Sequence, residues 1–210
     1  MPDTYLLKIN KDLEKKDFDR LLCYVSEDKR ERILRFHRFE DSQRSLLGDI
    51  LARYAICKRS GAKNAELVFG LNEYGKPILI KPEGIHFNIS HSGEWVACAI
   101  DDNPVGIDIE MIKPVDYKIS ERFFSEKEYL FLMNQPEEMR LKYFYIFWTL
   151  KESCIKADGR GLSIPFDSFT IDLDGKGIIL QDEKNVLGNK THSYFEVEID
   201  KYVLSICASK

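Results

Sequence analysis

Three acids and one short polar run have the residue types and spacing to do chemistry. The first two acids lie in Val105-Gly106-Ile107-Asp108-Ile109-Glu110. In an extended strand, alternate side chains share a face, so Asp108 and Glu110 point one way and Ile107, Ile109 and Met111 the other. Two like charges on one face repel, and acids are poor strand formers. A cation between them removes the conflict, and all-oxygen ligation suits a hard ion such as Mg²⁺, which leaves coordination positions to water and substrate phosphate. The same pattern also fits a strand whose wet face simply carries acids. The third acid, Glu152, sits in a helical stripe with Leu141, Tyr145, Trp148 and Ile155. A carboxylate amid apolar side chains needs a metal, a base or a hydrogen-bond cluster. A salt bridge to Lys156, one turn on, is the plainer alternative.

The polar run is Asn88-Ile89-Ser90-His91-Ser92-Gly93. Hydroxyls and an imidazole where a strand enters a turn suit phosphate binding. A serine nucleophile with a histidine base is disfavoured, because neighbours on a strand face opposite ways and no G-x-S-x-G elbow is present. A hairpin turn with a solvated histidine is the plain reading. A basic stretch adds a possible anion site: Lys29, Arg30, Arg32, Arg35 and Arg38 accompany one acid, Glu31, and Arg44 follows. In a chain of net charge −4 such a patch is either an anion site or a solvated helix face.

The elements that must position these groups follow from periodicity. Thr4–Ile9 reads as a strand and Lys11–Val25 as helical. Ser26 caps a basic helix, residues 41–58 form a helix ending at Ser60-Gly61, and Glu66–Leu71 is strand-like. Asn72 to Pro77 is turn chemistry. Strands at Ile85–Ser90 and Trp95–Ile100 flank the turn His91–Glu94, the second apolar enough to be buried on both faces. After the acidic strand, 118–133 reads as one helix and Glu137–Asp158 as another, stopped by Gly159 and Gly161. Strands at Ser168–Leu173, Gly177–Leu180, Tyr194–Ile199 and Tyr202–Ala208 close the chain. The order repeats. A long helix, then strands, then a hairpin occur twice, with Phe87-x-Ile89…Trp95-Val96 parallel to Phe195-x-Val197…Tyr202-Val203. The expectation is an α+β molecule of two similar α/β halves, 1–103 and 104–210, related by a pseudo-twofold with a cleft between them.

Length and composition allow a substantial core: 210 residues, 44% hydrophobic and 31% charged. The net negative charge argues against general nucleic-acid binding. No apolar run approaches the roughly 20 residues of a membrane span. Five scattered cysteines without C-x-x-C, and a start without signal-peptide layout, point to free thiols in the cytoplasm.

Gly75-Lys76-Pro77, Phe87-Asn88-Ile89-Ser90-His91-Ser92, Gly106 to Glu110, Phe123-Phe124-Ser125, Trp148-Thr149-Leu150-Lys151-Glu152-Ser153-x-x-Lys156 and Gly159-x-Gly161-Leu162 occur in this order. Together they resemble the 4′-phosphopantetheinyl transferases of the surfactin-synthetase-activating type, from about Ser26 to the C-terminus. The resemblance implies a monomer of two similar halves with the active site between them. It also implies a reaction: transfer of the phosphopantetheine arm of coenzyme A to a serine of apo peptidyl or acyl carrier domains, releasing adenosine 3′,5′-bisphosphate. By match to the motifs, Asp108, Glu110 and Glu152 hold Mg²⁺, and Glu152, Lys156 and His91 are the catalytic positions, Glu152 as base toward the carrier serine. Lys156, Ser90 and His91 bind phosphate; Lys29, Arg32, Arg44 and Ser45 grip the 3′-phosphate; Tyr74, Gly75, Lys76 and Pro77 lie beside adenine. A carrier contact is expected near Lys113, Ile119, Phe123 and Phe124, with Lys118, Arg122 and Lys127 as a basic rim. The competing readings are a Mg²⁺-dependent phosphohydrolase acting on a nucleotide-like substrate and a non-catalytic coenzyme A or carrier-binding module.

Overall fold

The structure, a computed structural model, describes residues 2–173, 178–183, 185–188 and 192–209. The expected strand start at Gly177 lies outside the described residues, as do the side chains of Phe195 and Val197. Two three-stranded antiparallel sheets of matching order make the frame. One is β1 (Asp3–Lys8), β5 (Trp95–Asp101) and β4 (His86–Ser92), with β5 central. The other is β6 (Val105–Met111), β10 (Tyr202–Ser209) and β9 (His192–Ile199), with β10 central. In each, the last two strands form a hairpin and the edge strand comes earlier in sequence. Small two-stranded sheets, β2–β3 (Val68–Leu71, Pro77–Lys81) and β7–β8 (Thr170–Leu173, Ile178–Gln181), follow the long helices.

Alternation decides which faces are covered. Val96, Cys98 and Ile100 of β5 pack with Leu51, Ala52, Ala55 and Ile56 of the 22-residue helix α3 (Phe39–Ser60). Val203 and Cys207 of β10 pack with Phe147, Leu150 and Cys154 of α6 (Glu137–Asp158), also 22 residues. The other faces meet in a layer of Ala97, Ala99, Ile107, Ile109, Leu204 and Ile206. β5 is therefore buried on both sides, as its apolar run requires. Both long helices end on a left-handed glycine, Gly61 and Gly159, whose φ of 75° and 93° a side chain would disfavour. Gly106 meets a different need. A Cβ there would run into the Ser153 carbonyl and Ala157 amide, so glycine lets β6 lie directly against α6.

Three local expectations change. The first helix is shorter than Lys11–Val25, with α1 covering Lys15–Leu22. Residues 118–133 are two helices, α4 (Lys118–Phe123) and α5 (Glu126–Met133), because Ser125 restarts the helix as a capping box with Glu128. The hairpin after β4 is tighter than His91–Glu94: the strand runs on through His91 and Ser92. Ser26 does cap α2 (Glu27–Leu34), accepting from the Lys29 amide. No helix among the described residues is long and apolar enough to cross a membrane.

Candidate active site

A cavity of about 440 Å³ opens between the two sheets and their helices, lined by Lys29, Ser45, Gly48, Pro77, Ile89, Ser90, His91, Asp108, Glu110, Trp148, Glu152 and Lys156. Residues from α2, α3, β4, β6 and α6 thus meet at one place, although up to 127 positions separate them in sequence. Close β6–α6 packing at Gly106 sets Asp108 against Lys156, whose Nζ donates to Asp108 Oδ1 at 2.6 Å and to Ser90 Oγ and the Ile107 carbonyl at 3.3 Å each. The i,i+4 alternative for Glu152 is not what forms: Lys156 bonds the strand acid instead.

Asp108 is 3% exposed, and its Oδ2 is buried without a hydrogen-bond partner among the described residues. Burial and the charge of Asp108 push the Glu110 carboxyl above its usual range, while a hydrogen bond from Ser92 and the charges of Lys156 and Lys113 oppose this. Burial also raises Glu152; Lys156 lowers it, and the two strand acids raise it further. Three carboxyls therefore crowd one lysine. Among the described residues no three acid, imidazole or thiol groups stand ready-made as a metal cage. The donor chemistry nonetheless fits a hard cation: an orphaned buried carboxylate oxygen, two carboxyls strained toward protonation, and open cavity beside them.

The phosphate-binding candidates divide. Ser45, Ser90 and His91 line the cavity. His91 is exposed at its rim, yet burial of the ring by the cleft lowers its pKa, as do the charges of Arg44 and Lys156. Lys29 lines both this cavity and an adjoining one of about 180 Å³ that holds Arg32. Burial depresses the Lys29 ammonium against the pull of Asp49, and Arg32 lowers it further, so an anion there would be doubly compensated. Arg44 is not brought into the wall. It donates to Asp41 at 2.5 Å and to the Gly93 carbonyl at 3.2 Å.

Of the turn residues only Pro77 lines the cavity. Gly75 turns the chain at φ 84°, and Tyr74 faces a separate cavity of about 440 Å³ with Asp158 and Arg160. Lys76 reaches the end of α6, donating to the Lys156 carbonyl at 2.5 Å and to the Val105 and Ala157 carbonyls at 3.5 Å each. Beside it Asn72 donates to the Gly159 carbonyl at 2.8 Å. The turn is thus a clasp on the helix that carries Glu152 and Lys156. Sequence reasoning passed over that role, and no local pattern announces it.

At the expected carrier contact, Phe124 is 3% exposed and belongs to the core, so it offers no surface. Phe123 is half-buried, edge-on to Trp148 at 6.0 Å and to Phe166 at 5.8 Å. Ile119, Lys113 and Lys118 are exposed. Phe123, in contact with Trp148 of the cavity wall, joins this segment to the cavity.

Comparison with known proteins gives one family over both parts of the chain. The model of the 4′-phosphopantetheinyl transferase superfamily matches residues 104–207, and that of the 4′-phosphopantetheinyl transferase N-terminal region matches residues 12–103. The chain is 40% identical over 210 residues to the 4′-phosphopantetheinyl transferase ffp of Bacillus subtilis, covering 98% of this chain and 92% of that one. It is 42% identical over 172 residues to the 4′-phosphopantetheinyl transferase gsp of Aneurinibacillus migulanus, covering 82% and 72%. A solved holo-(acyl-carrier-protein) synthase of Bacillus anthracis, in complex with CoA (3′,5′-ADP), aligns at 18% identity and a TM-score of 0.45 over 50% of this chain and 94% of that one.

Proposed function

Because this chain belongs to the 4′-phosphopantetheinyl transferase superfamily, we propose that its interdomain cavity transfers the phosphopantetheine arm of coenzyme A to a serine hydroxyl of an apo carrier protein. The observation that carries the site assignment is the meeting of Asp108, Glu110, Glu152 and Lys156 around one open cavity that Lys29 and His91 also line. The division into 1–103 and 104–210 is supported by the meeting of the two family matches at 103 and 104.

The carrier serine oxygen forms a bond to the phosphorus that bears pantetheine. The bond from that phosphorus to the bridging oxygen breaks, and adenosine 3′,5′-bisphosphate leaves with the electron pair. Glu152, which lines the cavity beside Lys156, takes the serine proton. Lys156, held at Asp108, supplies positive charge to the pyrophosphate. Lys29 and Arg32 take the 3′-phosphate, Ser45 and His91 contact phosphate oxygens, Ser90 serves the phosphate site through Lys156 and Asp108, and Pro77 walls the nucleotide. Asp108, Glu110 and Glu152 would hold Mg²⁺, which when bound neutralises pyrophosphate charge. Arg44 acts from beside His91, and Tyr74, Gly75 and Lys76 through the turn. The carrier docks on Lys113, Ile119 and the edge of Phe123. A reducing cytoplasm is the proposed setting for the five scattered cysteines.

The test is incubation with coenzyme A, Mg²⁺ and a panel of apo carrier domains, read by intact mass. Transfer requires a carrier that gains the phosphopantetheine arm. Cleavage of coenzyme A without any carrier would instead identify a phosphohydrolase, and binding without either product a non-catalytic module.

A further inference from the structure

The outer edge of β6 has no backbone partner strand among the described residues. It pairs with β10 on one side, and β4, which runs beside it, belongs to the other sheet. Ile107 and Ile109 are fully buried, so the N–H groups on that edge need acceptors other than water. Side chains of β4 supply them. Asn88 Oδ1 accepts from the Ile107 amide at 2.9 Å, Ser90 Oγ from Ile109 at 3.3 Å and Ser92 Oγ from Met111 at 3.1 Å, each pair 19 residues apart. The constant offset makes β4 and β6 parallel neighbours joined at every second residue. Two of the three rungs then turn to the acids: Ser90 donates to Asp108 Oδ1 at 2.9 Å, and Ser92 to Glu110 Oε2 at 2.8 Å.

Direct backbone pairing would draw the two strands to about 4.8 Å. A rung that includes a side chain spans more, leaving room for Lys156 to enter and bond the Ile107 carbonyl from the same edge. We propose that Asn88, Ser90 and Ser92 form a side-chain ladder that replaces strand pairing between the two sheets, and that Ser92 is a positioning residue that aims Glu110 at the cavity. The positioning part rests on the reading above that Glu110 serves the transfer. Each serine accepts from a β6 amide with one lone pair and orients an acid with its own proton, so sheet register and carboxylate direction are set by the same atom.

The experiment compares Ser92→Ala, Ser92→Thr and Glu110→Gln in the full chain. Amide hydrogen exchange at Met111 is followed by NMR without substrate, and kcat and KM are measured with coenzyme A and an apo carrier. Ser92→Ala should speed Met111 exchange, leave β5 protected, and lower kcat roughly 10–100-fold, as loss of an orienting partner does, with KM for coenzyme A little changed. Ser92→Thr keeps the hydroxyl and should restore both exchange and kcat. Unchanged Met111 exchange in Ser92→Ala overturns the ladder. Faster exchange with wild-type kcat, or no rescue by threonine, overturns the positioning role. Full turnover in Glu110→Gln overturns the reading of the acid itself, and is told apart because the exchange readout needs no turnover.

Discussion

Asp108 is held on one side only: one oxygen bonds Ser90 and Lys156, and the other is buried without a hydrogen-bond partner among the described residues. Truncation to alanine would take from Lys156 its shortest contact and from Ser90 the acceptor of its proton, so Asp108→Asn is the cleaner probe. It should retain the fold, measured by its melting temperature, and lower transfer by roughly 10²–10³-fold, the usual effect of removing one group that stabilises transition-state charge. His91 gives a pH test. Above 6.5 the imidazole is neutral in folded and unfolded chains and adds no pH dependence. As pH falls below 6.5 the unfolded chain takes up the proton first, because the folded ring is depressed, so stability declines until the folded pKa is passed. His91→Gln removes that decline. The variant should therefore gain melting temperature relative to wild type as the solution is acidified through this window, and a constant difference would show an unperturbed ring.

At the scale of elements, the site depends on how α6 is held. Lys151 and Glu128 are both fully buried, and Lys151 donates to Glu128 at 2.8 and 2.9 Å and to the Phe169 carbonyl at 2.6 Å. Glu128 also accepts from the amides of Ser125 and Ile171. One ion pair thus fastens α5 and β7 to the helix that carries Glu152. Lys151→Met should cost about 3–5 kcal/mol in urea unfolding, because it strands a buried carboxylate. Lys151→Met with Glu128→Gln should cost less than the sum of the single changes. Gly106→Ala drives a methyl into the α6 backbone, so its destabilisation should reach or exceed the upper end of the roughly 1–3 kcal/mol typical of overpacking.

The elements that sequence made legible are those with long, clean periodicity. Glu137–Asp158 has the bounds expected, and β5 is buried as its composition requires. The break at Phe124–Ser125 was harder, because apolar spacing continues through it and only Ser125 with Glu128 three residues on marks the new start. Asp108, Glu110 and Glu152 could be singled out because acids in apolar patterns are locally anomalous. The partners of Lys156 and Lys76 could not, since those bonds join residues 29 to 81 positions apart. Asn88, Ser90 and Ser92 do carry a signal, polar side chains at every second place of a strand, but it becomes a ladder only once β6 lies alongside.

For the whole molecule, charge should govern the carrier encounter. Lys113, Lys118 and Ile119 are exposed on the segment that leads to Phe123, whose ring meets Trp148 of the cavity wall. Charge reversal at either lysine should raise KM for the carrier and leave KM for coenzyme A unchanged, with the penalty shrinking in high salt. The pair β1–β5 also corresponds in register to the pair β6–β10, whereas the expected parallel of Phe87 with Phe195 is out by one residue, since Phe87 takes the place of Tyr194. Cys98 faces Tyr5 in one where Ser205 faces Asp108 in the other. Counting back from Gly61 and Gly159, Tyr54 and Lys58 occupy the places of Glu152 and Lys156. There the Tyr5 and Tyr54 rings meet edge-on at 6.0 Å, and the Lys58 ammonium lies 5.4 and 5.9 Å from them. The lysine persists in both seats, but in this one it looks onto aromatic faces with no carboxylate to share a cation. With tyrosines standing where Asp108 and Glu152 stand in the other, this seat is a blind twin of the working one, and calorimetric titration should find a single coenzyme A taken up per chain.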